Sequence, residues 1–443
     1  MVRVMPFKAY RYDPNVVQDH ANVMAPPYDV IKGAKVDELQ GRSRYNVAWV
    51  TKNKPRETDT PENNQYTRAR DIMNAWVAEG ALKQDDKECF YVYGQNFTVD
   101  RKELFRFGFI GLLFLEEFGK KGAKEPFTGV LQHEETLPKD IQDRLNLYRQ
   151  THTQEGQIFV IYPDHEGLVD KVLKKYMRHK PKTDIIDMDG IRHRLWAVDG
   201  EEDKASISRT MADRYVIIAD GHHRYKTALA FRDENPSIEG ARYRMATFIN
   251  IGNPGLVILP THRLVQNLED FSQVKLLSGI REHFDVAEFP DKEGMFARMN
   301  DMFRKGSHSF GLFMNDGKFY CLTLKDLSVM DRLLPDKSPQ LRSLDVSILH
   351  SLVLDRLLGI GKEKLAQGTM GGGGYVIYIK GIGDAVDESL QSVRDGAQAV
   401  LFMNPTRITE VEAVAGNFEC MPQKSTFFHP KVWTGFTFNR LER

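Results

Sequence analysis

Apolar residues recur along this chain at two spacings. Alternation or short unbroken apolar runs, which suit strands, occur in VRVMPFKAY, YNVAWVTK, CFYVYGQNFTVD, LFRFGFIGLLFLEEF, QIFVIYPD, RYVIIAD, MATFINI and GLVILPTHR. Helical spacing falls between them. DVIKGAKVDELQG reads as a helix stopping at Gly41, and QYTRARDIMNAWVAEGAL places Ile72, Trp76, Val77 and Leu82 on one face. Further helices are predicted after QHEETLPKD, over Gly167 to Met177, and directly after VIIAD. Two strand pairs flank short polar turns, CFYVYGQNFTVD with LFRFGFIGLLFLEEF and the two halves of TDIIDMDGIRHRLWAV, so each reads as a hairpin. The expected fold class is α/β with a mixed sheet.

From about Gln266 the texture changes to helices near FSQVKLLSGIREHF, KEGMFARMNDMFRKG and SLDVSILHSLVLDRLLG, with the strands SFGLFM, KFYCLTL and AVLFMN. This predicts two regions, 1–265 and 266–443. Polar residues crowded into MPQKSTFFHPK predict that the carboxyl-terminal tail returns to the first region.

The length of 443 residues agrees with more than one core. With 41% hydrophobic and 28% charged residues, the chain lies in the ordinary globular range, and no apolar run is long enough for a membrane span. The start, MVRVMPFKAYRYDP, has no secretory or presequence character, which predicts a cytoplasmic protein. Cys89, Cys321 and Cys420 are odd in number and far apart, so they read as buried thiols. Net charge is zero, and the densest basic cluster, KKGAK at Lys120 to Lys124, reads as a solvated loop. A broad nucleic-acid footprint is disfavoured, and a nucleotide with a small-molecule substrate is the expected partner set.

The chemistry concentrates in VIIADGHHRYKTALAF. Asp220, Gly221, His222, His223 and Arg224 stand where a strand turns into a helix, and that geometry aims backbone N–H groups and a helix dipole at an anion. The bland alternative is Asp220 as a helix cap and Arg224 as half of an ion pair. Adjacent histidines diverge, which disfavours a metal site that uses both. In VMAPPYDVI, Asp29 follows a rigid Pro-Pro turn and is either a proton acceptor or Mg²⁺ ligand, or a helix cap. His133, Glu134 and Glu135, with Asp143 and Arg144, form an acid–base candidate or a solvated cluster. Thr261, His262 and Arg263 end a strand, and Asn404, Gln423, Lys424, Ser425 and Thr426 follow apolar strands. Lys424-Ser425-Thr426 lacks the glycines of a P-loop, and GTMGGGGY precedes a strand rather than a helix, so neither is a nucleotide motif.

Taken in order, MPFKAYRYDP, VMAPPYDVI, QHEETLPKDIQDRLNL, IADGHHRYKTAL, LPTHRLV, LFMNPT and MPQKSTFFHPKVWTG resemble the bacterial and archaeal family called domain of unknown function 1015, over nearly the whole chain. ADGHHR also resembles the phosphate-binding turn of the ParB/sulfiredoxin superfamily. Its free serine kinases carry an acid-glycine-histidine-x-arginine turn. This implies a ParB/sulfiredoxin-like core in 1–265 and a phosphotransferase that uses ATP or ADP with Mg²⁺ on a small hydroxyl metabolite, free serine first. The catalytic residues implied are Asp29 or Glu134 as base, and Asp220. Gly221, His222, His223 and Arg224 would cradle phosphate, joined by His262, Arg263, Lys424, Ser425 and Thr426. Sulfiredoxin chemistry would need a cysteine where the histidines stand. The alternative implied is a ParB-like CTP-binding regulatory module without turnover.

Overall fold

In the computed structural model, residues 2–119, 129–135, 139–367 and 374–441 are described. KKGAK and most of GTMGGGGY lie outside them. The chain forms two compact units. The first comprises Met1–Gln132, Thr136–Val257 and Pro430–Arg443, and the second His133–Glu135 and Ile258–His429.

The first unit is built on a mixed sheet of nine described strands: β1 (Val4–Met5), β2 (Phe90–Val99), β3 (Lys102–Phe114), β4 (Val130–Leu131), β5 (Ile158–Tyr162), β6 (Thr183–Ile186), β7 (Arg192–Val198), β8 (Val216–Asp220) and β9 (Tyr243–Asn250). Their order is β4-β8-β5-β9-β3-β2-β7-β6, with β1 against β3. β4/β8 and β5/β9 are parallel, and the remaining pairs are antiparallel. β5 and β8 are apolar runs because both of their faces are covered. Phe109 and Phe248 stack at 4.6 Å across β3 and β9. Around the sheet run α1 (Ala34–Arg42), α2 (Gln65–Ala78), α3 (Lys139–Thr151), α4 (Leu168–Tyr176), α5 (Glu201–Ala212) and α6 (His222–Glu234).

The second unit has the sheet β11-β13-β12-β15-β10-β14, formed by β10 (Thr261–Val265), β11 (Phe284–Phe289), β12 (Ser309–Met314), β13 (Phe319–Leu324), β14 (Val376–Lys380) and β15 (Ala399–Met403). Every neighbouring pair in it is antiparallel. The division falls at Ile258 rather than near residue 265, because β10 hydrogen-bonds to β14 and β15 of this sheet.

Two local readings change. YNVAWVTK is a short helix, Ala48–Thr51, rather than a strand; the Asn46 side chain accepts the Ala48 N–H at 2.9 Å and starts the turn. SLDVSILHSLVLDRLLG begins as an α-turn and continues as a π-helix over Leu349–Leu357, a rare geometry often found near functional groups. Among the described residues, no helix is long and apolar enough to cross a membrane.

Gly108 tests the sheet packing. A Cβ there would lie 2.0 Å from the Phe248 carbonyl oxygen, a backbone atom that no rotamer change can move. Gly108→Ala is expected to destabilise the first unit by about 2 kcal/mol, within the usual cost of overpacking. The check is the thermal-unfolding midpoint, and an unchanged midpoint would contradict this packing.

Candidate functional site

The run Val216–Ala219 is buried, and the strand ends at the partly buried Asp220. Gly221 follows at φ +95°, a left-handed conformation that glycine adopts without a Cβ penalty. Its missing side chain also leaves room for a neighbour: a Cβ at this position would sit 3.1 Å from Nε and Nη2 of Arg224. α6 then starts at His222, and both His222 and Arg224 are buried. The charged turn is therefore largely buried, with Asp220, Gly221 and His223 partly exposed.

Asp220 meets two cations. Arg224 Nη2 donates to Oδ2 at 2.8 Å, and Lys431 Nζ donates to Oδ1. Burial works against charge on this carboxyl, but Lys431 and then Arg224 outweigh it and hold Asp220 well below the usual carboxylate range. Arg224 also donates through Nη1 to the Gln157 carbonyl at 2.5 Å, while its buried Nε–H has no acceptor among the described residues. Arg244, 4% exposed, donates to the Gly156 carbonyl, and its Nε–H also lacks an acceptor among the described residues. Arg106, 1% exposed, donates to the Gln95 side chain and the Pro430 carbonyl, and its guanidinium stands 4.9 Å from the Phe159 ring. Burial pulls Arg106 down to about 10. Among the described residues, Arg106, Arg224 and Lys431 lie about Asp220, and the half-buried Glu155 lies beside Arg244.

The segment that carries Lys431 is fixed along its length. Gln95 donates to the Lys431 carbonyl at 3.0 Å and Gln157 to the Trp433 carbonyl at 2.9 Å. The Trp433 N–H approaches Tyr93 Oη at 3.4 Å. Tyr93 donates in turn to His193 Nδ1 at 2.7 Å, and His193 Nε2–H donates to Asp187 at 2.9 Å, all of it buried. Thr434 exchanges backbone hydrogen bonds with Ala25, at 3.2 and 2.8 Å, and so ties the Pro-Pro segment to the same tail. Asp29, four positions on, is exposed in a turn; it caps no helix, since α1 starts after Gly33.

The other candidates gather in the second unit. Arg263, 1% exposed, donates to the carbonyls of Thr261 and Lys424 and, at 3.3 Å, to His350 Nε2 on the π-helix. Burial lowers its pKa to about 10. His262 Nδ1 accepts the Met403 N–H at 3.1 Å, and burial, then Arg263, lowers its pKa to about 4. Lys424 adopts φ +59°, and its N–H donates to Glu134 Oε1 at 3.1 Å. Thr426 Oγ1 is 2.8 Å from His133 Nε2, and Ser425 Oγ donates to the Pro422 carbonyl at 2.5 Å. Non-glycine residues at positive φ are uncommon and cluster at functional turns.

The expected residues thus form two groups, Asp220 to Arg224 in the first unit and Glu134, His262, Arg263, Lys424, Ser425 and Thr426 in the second. Two roles need correction. Arg224 is not a cation held out for phosphate alone, because its guanidinium is already bound to Asp220 and Gln157. Asp220 is not open to a metal, because both of its oxygens face cations. Among the described residues, no group of three or more His, Cys, Asp or Glu could hold a metal ion. Lys431, Arg106 and Arg244 are not among the residues the sequence points to. The signal for Lys431 was a lone lysine inside the apolar closing run FFHPKVWTG, whereas the two arginines lie in strands and look like ordinary surface positions.

A family model described as protein of unknown function (DUF1015) matches residues 4–347. A free serine kinase mutant in complex with AMP is similar at 12% identity, over 68% of this chain and 84% of its own, with a TM-score of 0.34. A conserved hypothetical protein from Pyrococcus furiosus has 12% identity over 68% and 87%, with a TM-score of 0.32. SbnI from Staphylococcus aureus has 13% identity over 69% and 82%, also with a TM-score of 0.32. No curated protein matches the chain.

Lys431→Met leaves Asp220 with one directly bonded cation, Arg224. It is expected to cost about 3 kcal/mol at neutral pH, in the range for breaking a buried pair. A carboxyl lowered in the folded state stabilises above its unfolded pKa of about 4, and that stabilisation is lost as pH falls through the folded value. The gap between wild type and Lys431→Met should therefore be widest at neutral pH and narrow in acid. Denaturant titrations across pH would show it, and a gap that widens in acid would refute the pairing.

Proposed function

We propose that this chain, which belongs to the DUF1015 family, is a nucleotide-dependent phosphotransferase that moves a phosphoryl group from ATP or ADP to a small hydroxyl metabolite. The observation that carries this reading is the set of buried guanidiniums at the Gly221 turn. Among the described residues, Arg224 and Arg244 each keep a buried Nε–H without an acceptor. Buried donors without partners call for an explanation, and a phosphate supplies acceptor oxygens for them.

Phosphoryl transfer depends mainly on positioning and charge neutralisation. The acceptor hydroxyl oxygen bonds to the terminal phosphorus while the bridging P–O bond breaks. The shortened nucleotide leaves with that electron pair, and the hydroxyl proton passes to a carboxylate. Asp29 is the base proposed, since it is exposed and lies near the tail-bound Ala25 in the same unit. Asp220 is too strongly acidic to take that proton, so its role is to orient Lys431 and Arg224. Glu134 is held by the Lys424 amide in the second unit's cluster. The side chains at the turn do not fit a resident Mg²⁺, so no step is assigned to one. The resemblance of the D-G-H-x-R turn to that of serine kinases makes free serine the first acceptor to test.

The test incubates the full chain with ATP or ADP and a panel of hydroxy amino acids, and follows products by phosphorus NMR. A phosphorylated acceptor is expected, with turnover reduced about 100-fold in Arg224→Met, the scale seen when one charge-stabilising donor is removed. Absence of nucleotide turnover with every acceptor would end the reading. Stabilisation by CTP without any phosphorylated product would replace it with a nucleotide-binding regulatory role.

A further inference from the structure

Between Lys171 and Lys182, six of twelve residues are lysine or arginine, although the net charge of the chain is zero. This stretch spans most of α4 and the segment leading to β6, and the proposed reaction makes no use of it. Val169 and Leu173 bury one side of α4 in the core. Lys171, Lys174 and Lys175 stand on its outer side at the i, i+3 and i+4 spacing of neighbours, and Arg178, Lys180 and Lys182 continue the row. All six are exposed. Among the described residues only Lys175 is ion-paired, with Asp203 at 2.6 Å. Asp170, the one acid between Leu168 and Lys182, is held by Asn250 at 3.4 Å. A run of like charges repels itself, and a polyanion relieves that repulsion.

The row borders an aromatic part of the sheet. The register of β2, β3 and β7 sets Arg194 opposite Gly94, Gly94 opposite Phe107, and Asn96 opposite the half-buried Phe105. A Cβ at Gly94 would lie 2.9 Å from the Phe105 ring and 3.3 Å from the Trp196 ring, so both rings lie over this glycine. The Arg194 guanidinium stands 5.4 and 5.3 Å from the same two rings and donates to Asn96 at 2.6 Å, while its Nε–H has no acceptor among the described residues. Lys174 Nζ lies 5.7 Å from the Phe107 ring, which stacks on Phe105 at 5.6 Å. The basic segment is fixed beside these rings: Trp196 donates to the His179 carbonyl at 2.9 Å, and the Lys182 N–H to the Leu195 carbonyl at 2.7 Å. Asp184, opposite Arg194 on β6, is paired with Arg192 at 2.7 Å. A row of cations suits phosphates, and aromatic rings with a guanidinium plane suit unstacked bases, so the two together fit a single-stranded nucleic acid. An acidic peptide or a lipid headgroup would use the cations and leave the rings idle.

We infer that this face, the outer side of α4 with the rings around Arg194, binds single-stranded nucleic acid. The test follows the fluorescence anisotropy of labelled oligouridine and oligodeoxythymidine on the full chain at rising salt, with polyglutamate and phosphatidylserine vesicles as competitors. Saturable binding that weakens with salt is expected, and the tighter oligonucleotide tells RNA from DNA. The triple variant Lys174→Glu, Arg178→Glu, Lys180→Glu should melt as wild type and bind at least ten-fold more weakly. Three lost phosphate contacts, at roughly 0.7 each, should also flatten its slope of log affinity against log salt by about 2. Excess ATP should leave the oligonucleotide bound. The inference fails if neither oligonucleotide binds, if wild-type binding ignores salt, or if the triple variant keeps wild-type affinity. It fails equally if polyglutamate or the vesicles compete as well as unlabelled oligonucleotide, or if ATP displaces it, which would assign the binding to the Gly221 turn. None of these outcomes depends on nucleotide turnover.

Discussion

Asp220 is a charged carboxylate in an interior that offers little solvent, and such a group persists only when cations meet it directly. Arg224 comes from one turn further along α6, and Lys431 from the far end of the chain. The rest of the site follows from that arrangement. Lys431 can reach Asp220 only if its own backbone is held, and Gln95, Arg106, Gln157 and Tyr93 hold it. Tyr93 is in turn oriented by His193 and Asp187, so a network of buried polar groups fixes a single lysine. Gly221 belongs to the same constraint, because the Arg224 guanidinium lies where a side chain would otherwise project.

This arrangement changes how the turn operates. A surface loop with two histidines and an arginine would attract phosphate by charge alone, and salt would screen it. Here the cations are already organised around a carboxylate, in a setting where burial lowers the pKa of Arg106 and Arg244. Under the proposed function, an anion bound at this turn would meet donors with fixed directions, so little reorganisation would be needed on binding. The second unit uses related means: a buried arginine satisfied by carbonyls, a neutral histidine on a π-helix, and a lysine held at positive φ by a glutamate. In both units the buried arginine is placed by backbone oxygens, which hold its orientation while leaving its charge intact.

Much of the fold could be read from spacing. The strands of VIIAD and QIFVIYPD and the two hairpins lie where their apolar patterns put them, because those patterns are local and set by burial. YNVAWVTK departs from its pattern for a local reason as well: at four residues the helix is too short to show a period, and the Asn46 side chain bends the backbone by accepting the Ala48 N–H. The Gly221 turn was legible as a concentration of unusual residues. Its internal wiring was not, since a string of residues does not say whether Arg224 faces outward or back to Asp220.

By itself the sequence determined the class of fold, the strand–turn–helix at Asp220 to Arg224 and the family pattern, all of which depend on residues close to one another in the chain. Only the tertiary structure decided that Lys431 closes on a carboxylate 211 positions away, that Arg106 and Arg244 join it from neighbouring strands, and that Glu134 and Lys424 meet in the other unit. The reason is physical. A buried charge is defined by what surrounds it, and those neighbours are brought together by strand pairing and burial, which act across sequence distances that no local pattern records.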